Sequence, residues 1–184
     1  MEVKGTFFVG RKQFIESRFG EAAWSGFIAA LAVEDPVFLR PILATTLVPV
    51  ASYLRFQEFS LKRFFDGDER AFWQIGEQSG AWALTDGPYK HYRQNQREFS
   101  EFVERCLPLI WSSYFTRGEL KTSCLGDTVE GQIVDLPIWH VCFEYAVMGF
   151  MRRAIELAGF PVRQQLRIKG VSAGDQAIHY RFLR

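Results

Sequence analysis

His140 and Glu144 stand four residues apart in an apolar stretch, a spacing that puts two side chains on one face of a helix. Imidazole and carboxylate are both suited to holding a metal or the polar group of a ligand. Two such groups do not make a metal site, so none is expected. The pair reads either as the polar end of a ligand pocket or as a histidine–glutamate hydrogen bond at the edge of a core. Around it the sequence places Trp111, Tyr114, Phe115, Trp139, Phe143 and Tyr145. Tryptophan and tyrosine carry a polar handle on an apolar body and suit a pocket mouth, although core packing is the commoner use of such rings. The residues expected to touch a small apolar ligand are therefore Trp111, Tyr114, Trp139, His140 and Glu144.

A second constellation is basic. From Arg152 onward seven Lys and Arg residues face only Glu156 and Asp175, a net +5. Within it Arg163, Arg167, Lys169 and Arg181 read as one stripe that could receive an anionic ligand, a phosphate or an acidic partner. The alternative is a solvated sheet face paired across strands with Glu119 or Glu130. No RNA-recognition aromatic motif interleaves with it, and nucleic acid is not expected. Tyr89, His91, Tyr92 and Arg93 follow Asp86-Gly87-Pro88 in a loop rich in polar tips. The nucleophile elbow, the phosphate-binding glycine loops and the zinc-protease helix motif are all missing. Gly10, Gly20 and Gly26 are scattered, and Asp66, Asp68 and Glu69 read as a turn and a helix cap. No catalytic residue and no cofactor is assigned. Binding is favoured over bond chemistry, with an enzyme of unidentified type kept as the last reading.

Composition sets the frame. The chain has 184 residues, 48% of them hydrophobic and 16% aromatic, and a net charge of +1. That is enough apolar surface for one substantial core, and too little net charge for nonspecific attraction to nucleic acid or an anionic membrane. Apolar stretches at residues 41–54 and 137–151 are broken before reaching the ~20 residues of a membrane helix. Cys106, Cys124 and Cys142 form no CxxC pair, and with no secretion signal pattern at the start a cytoplasmic location is expected.

The elements that must position these groups form a single α+β domain over residues 1–184, mainly helical to residue 111 and sheet-bearing from 112. Residues 3–9 read as a short strand ended by Gly10. Apolar positions over 12–32 predict one helix, or two joined at Gly20. Asp35-Pro36 opens a short helix, residues 49–65 and 68–84 form longer ones, and 95–110 supplies the last, tightened at its end by Pro108. Strands are expected over 114–125 and 128–136, with a hairpin at Gly126-Asp127, and over 162–171 and 176–183, flanking a helix from Pro137 to about residue 158. The tail is thus an antiparallel β-β-α-β-β unit on which the helical half packs. Ile178, Tyr180 and Phe182 alternate with His179 and Arg181, so one sheet face is packed. The helix before it is apolar nearly all round, which requires cover on two sides.

Several of these segments look familiar. Met148-Gly149-Phe150, the run from Ile155 to Val162 and the run from Gly174 to Phe182 resemble the C-terminal signature of the 4-vinyl-reductase domain, whose α/β core is shared with haem nitric-oxide/oxygen binding domains and transport-protein-particle subunits. Residues 14–24 and 64–76 together with the glycine-aspartate tail are similar to a family of like-sized myxobacterial proteins. The resemblance implies an apolar cavity between helices and sheet, or a flat pairing surface. Departures from the pattern narrow this. Ile178 stands where the 4-vinyl-reductase pattern has a cysteine. The haem domains need a proximal histidine ahead of the sheet and a Tyr-x-Ser-x-Arg set, whereas this chain offers only Ser52-Tyr53-Leu54-Arg55. The expectation is a regulatory or sensory domain that binds a small apolar ligand, a signalling partner or both; the alternative is a homodimeric interaction scaffold without ligand.

Overall fold

Gly20 bends the first helical run in two. In the computed structural model, which describes residues 1–95 and 98–184, α1 (Thr6–Phe19) and α2 (Glu21–Glu34) meet at Gly20, whose φ of 90° lies where a side chain is rarely tolerated. The expected opening strand is shorter than residues 3–9. β1 is Glu2–Lys4, and Phe7, Phe8, Val9 and Gly10 already belong to α1, because a brief apolar run fits either period and helix propagation from Gly5 decides it. β1 pairs antiparallel with β2 (Leu47–Pro49), a strand not anticipated, and Val3 bridges to Phe115 on its other side. α3 (Val50–Phe64) follows as expected.

Chain contacts divide the molecule into two compact units. The first comprises residues 1–71 and 114–116, the second residues 72–113 and 117–184. The core of the first is aromatic. Phe56, fully buried, lies within 5.1 Å of Phe8 and of Phe27, each edge-on, with Phe38 at 5.9 Å. Edge-on pairs set the positive rim of one ring on the negative face of the next and add to the area buried.

Asp66-Gly67-Asp68 ends α3 with positive φ at Asp66 and Gly67, and the Asp68 carboxylate accepts from the Arg70 backbone N–H to start α4 (Ala71–Thr85). After the short α5 (Lys90–Gln94), α6 (Phe99–Glu101), a π-helical turn (Phe102–Cys106) and α7 (Leu107–Tyr114) run on without a break. Pro108 therefore does not end the helix. It has no N–H to return, and in π register the carbonyl left over is that of Val103, which accepts from Thr122 Oγ1 at 2.6 Å instead. Residues 114–118, expected as strand, are thus the helix end and a connection.

The sheet order is β3 (Glu119–Leu125), β4 (Thr128–Val134), β6 (Ile178–Leu183), β5 (Gln164–Lys169), antiparallel throughout. Gly126 takes a φ of 56° in the two-residue turn between β3 and β4. Edge strand β3 is covered where its Cys124 N–H donates to Glu104. The architecture is α+β with a C-terminal β-β-α-β-β unit, as its alternation indicated. α8 runs from Val141 to Leu157, starting later than Pro137 because His140 is extended and caps it.

α8 is enclosed on two sides within the second unit. Toward the sheet, a Cβ on Gly131 would fall 2.4 Å from Met151 Sδ, so Met151 fills the space that Gly131 leaves. Toward α4, Gly149 lies against the Trp73 carbonyl, Gly76 against that of Ala146, and Gly80 against that of Phe150. Glycines let the two backbones touch, and α4 thereby covers the face of α8 turned away from the sheet.

Candidate functional site

The five residues expected to line a pocket come from α7, from the connection ahead of α8 and from α8 itself. Trp111 is buried in α7 and donates from Nε1 to the Gly118 carbonyl at 3.0 Å. Tyr114 falls in the other compact unit, tilted against Phe115. Trp139 is half-buried in the connection ahead of α8. His140 and Glu144 do not bond to one another. The His140 Nδ1 accepts from the Cys142 N–H at 3.1 Å as the helix cap, with extended backbone that takes it off the helical face.

Glu144, fully buried, is instead the centre of a polar node. Its Oε1 accepts from Tyr180 Oη at 2.7 Å and Ser172 Oγ at 2.8 Å, and its Oε2 accepts from the Ser172 N–H at 2.8 Å. The Arg167 guanidinium stands 3.7 Å from Oε1 and bonds Ser172 Oγ at 2.6 Å. Gly170 leaves room for the node, since a Cβ there would lie 2.4 Å from the carboxylate. A buried carboxylate is tolerated when donors surround it, and this one ties the first turn of α8 to the β5–β6 connection.

Burial, and next the hydrogen bond and charge of Glu144, push the Tyr180 phenol far above its ordinary range. A group with a raised folded pKa contributes stability that is complete below its unfolded pKa, about 10 for tyrosine, and lost as pH rises beyond it. Tyr180→Phe should therefore cost roughly 1.5–3 kcal/mol near neutrality. Its melting temperature should also fall less steeply than the wild type's above about pH 10, a comparison that differential scanning calorimetry makes directly.

The basic stripe is divided between the two sheet faces. Arg167 pairs with Tyr180, but Lys169 pairs with His179, so β5 carries one extra residue between them. This bulge shifts the parity of the strand. Arg167 shares the packed face with Tyr180, whereas Lys169 lies with His179 and Arg181 on the other; Arg163 precedes the strand and donates its N–H to the Leu183 carbonyl. Arg181 is paired as the cross-strand reading anticipated, its Nε 2.8 Å from Glu130 Oε1. Hydrogen bonding to Arg181, against some burial and helped by His179, holds the Glu130 carboxyl below the usual range.

A cleft that sequence reasoning did not find lies in the first unit. Phe8, Trp24, Ile28, Phe38, Pro41 and Ile42 line about 360 Å³ of partly enclosed space, with Lys12 and Arg40 as its charged members. Val9 and Leu39 border it, 43% and 71% exposed. The loop that forms one wall is fixed at both ends. Asp35 accepts from the Val37 N–H and pairs with Arg55 at 2.7 Å, while Gly5 and Thr6 donate to the carbonyls of Thr46 and Ala44. Burial raises the Asp35 pKa, but hydrogen bonds from Ser52, Val37 and Arg55 outweigh it and leave the carboxyl below its ordinary value. The one signal in the sequence was an apolar, proline-bounded run, Pro36 to Ile42, outside any long helix.

No protein-family model matches the chain, and no curated protein matches it. Solved structures do. An H-NOX protein from S. oneidensis in the Fe(II) ligation state is similar at 11% identity with a TM-score of 0.70, over 98% of this chain and 96% of that one. An H-NOX protein from S. oneidensis in the Fe(II)NO ligation state, without the substitutions carried by the first, gives 10% identity, a TM-score of 0.70 and coverage of 98% and 99%. An Fe(II) unliganded H-NOX mutant from K. algicida gives 9%, 0.66, 98% and 95%. Likeness at such low identity speaks for backbone architecture alone, and on that ground the chain has the H-NOX fold.

Proposed function

We propose that this chain is a non-catalytic sensory domain of H-NOX architecture that binds a small apolar ligand, takes no haem, and passes its occupancy to a protein partner. The observation that carries the reading is the cleft of the first unit, apolar-walled and at the low end of the ~300–1,000 Å³ common for small-molecule sites. Its wall is set by backbone hydrogen bonds, so little order must be created on binding. No helix among the described residues is long and apolar enough to cross a membrane.

The structural neighbours are described by their Fe(II) and Fe(II)NO states and by haem distortion, so the residues here must be tested against haem. They do not fit it. None of the three histidines lines the cleft: His91 is exposed on α5 against Tyr92, His140 caps α8, and His179 bonds Glu130 and Gln132 on the outer sheet face. Burial, and next Glu101 or Glu104, raise the thiols of Cys106 and Cys124, which disfavours thiolate ligation. A tyrosine, a serine and an arginine do converge on a carboxylate, but it is the chain's own Glu144, and Tyr180, Ser172 and Arg167 are engaged with it.

Titration of the purified protein with ferrous haem, with and without NO, tests this. The expected spectrum is that of unbound haem with no saturable change. A stoichiometric complex whose Soret band moves on NO addition would sink the haem-free reading. Native mass spectrometry of the same preparation is expected to show a retained organic ligand, and reports the subunit count that separates this reading from a ligand-free homodimer.

A further inference from the structure

The charges at the first unit's cleft are not what a purely apolar ligand requires. Lys12 follows Phe8 by one helical turn and so shares its face, and its amine is held by Glu16 at 2.7 Å. Arg40, on the opposite wall element, has no ion pair or hydrogen bond among the described residues. One positive charge is thus left uncompensated beside an apolar cleft. Guanidinium is the cation best suited to a carboxylate or phosphate, because its planar fork makes two parallel bonds. Val9 and Leu39 remain in water at the border, apolar surface that an alkyl chain lying between them would cover.

Resting on the ligand-binding reading above, we propose that the cleft takes a single-chain amphiphile with an anionic head: the alkyl chain lies against Phe8, Trp24, Ile28 and Phe38, and the head pairs with Arg40. The wall that carries Arg40 is held in place. Gly5 admits the Leu43 carbonyl so closely that any Cβ would displace it, and the loop carrying Arg40 is set by that contact and by the bonds from Gly5 and Thr6. Arg40 gives up no ion pair or hydrogen bond among the described residues when its charge turns to a ligand.

The probes are dodecanoate and dodecanol, equal in chain length and different in charge, titrated calorimetrically into the full chain below their aggregation range. Dodecanoate is expected to bind saturably, and Arg40→Ala to weaken it about tenfold while leaving dodecanol affinity and melting temperature unchanged. Ile28→Trp, or Ile28→Phe if the first fails to fold, should remove or sharply weaken both ligands by filling the space. Equal binding of the two probes with no effect of Arg40→Ala overturns the anionic class yet leaves an apolar ligand standing. Undiminished binding in a folded filling variant overturns the cleft as the site. Failure of both probes, with no ligand retained in native mass spectra, removes the ligand-binding reading itself.

Discussion

Replacing Gly76 by valine is expected to cost about 4 kcal/mol, at the severe end of overpacking, and to lower the melting temperature by roughly 8–16 °C for a chain of this size. A Cβ at Gly76 would fall 2.1 Å from the Ala146 carbonyl oxygen and 2.8 Å from its carbon. Both are backbone atoms of α8, which no rotamer change can move aside. The same two helices touch again where Gly149 meets the Trp73 carbonyl and Gly80 that of Phe150, so their separation is fixed at three places. Moving α8 away would open a gap of about an ångström along its length, and a gap of that size forfeits a large part of the dispersion contact. It would also pull Arg152 from Glu77, which joins the two helices by a short ion pair and takes the Trp73 indole N–H at 3.0 Å. The control is Gly26→Ala. Gly26 lies within α2 with nothing near its missing Cβ, and alanine there should raise stability by ~0.5–1 kcal/mol. Thermal unfolding followed by circular dichroism compares the three proteins, and a Gly76→Val midpoint within a degree or two of wild type would show that the helices are not in backbone contact.

These glycine contacts mark where sequence reading stops. Features governed by neighbours along the chain were legible: the bend at Gly20, the stop at Asp66-Gly67-Asp68, the Gly126-Asp127 turn and the alternation that buries Ile178, Tyr180 and Phe182. The enclosure of α8 was legible too, because a helix with no polar face must be covered. What escaped depends on partners far away in sequence. The α-helix survives Pro108 because Thr122, on a strand, replaces the missing donor. Arg167 left the basic stripe because one extra residue in β5, visible only against the register of β6, reverses its side. Glu144 was matched to His140 four residues away, whereas its bonds run to residues 28 and 36 further on. The cleft depends on Gly5 accepting the backbone at Leu43, a contact with no periodicity to announce it.

The polar node sets the second large effect. Glu144→Ala should destabilise the protein by about 3–5 kcal/mol, while Glu144→Gln should cost less, about 1–3 kcal/mol. Alanine leaves the buried Tyr180 hydroxyl and the Ser172 N–H with no acceptor and opens a void where the carboxyl stood. Glutamine retains the shape, and its amide can be turned to suit the donors. With the carbonyl oxygen toward the Ser172 N–H, the amide nitrogen faces two hydroxyls, those of Tyr180 and Ser172, which can accept from it but must then turn their own protons away from this site. The charge assistance of these bonds is lost, together with the attraction to Arg167 across 3.7 Å, which water already weakens because that side chain is 42% exposed. The opposite orientation would set the amide against the backbone N–H, donor facing donor, and is excluded by that one fixed group. Chemical denaturation of the two variants at neutral pH separates the possibilities. Equal, severe losses in both would mean that the negative charge itself, rather than the count of hydrogen bonds, holds the β5–β6 connection to α8.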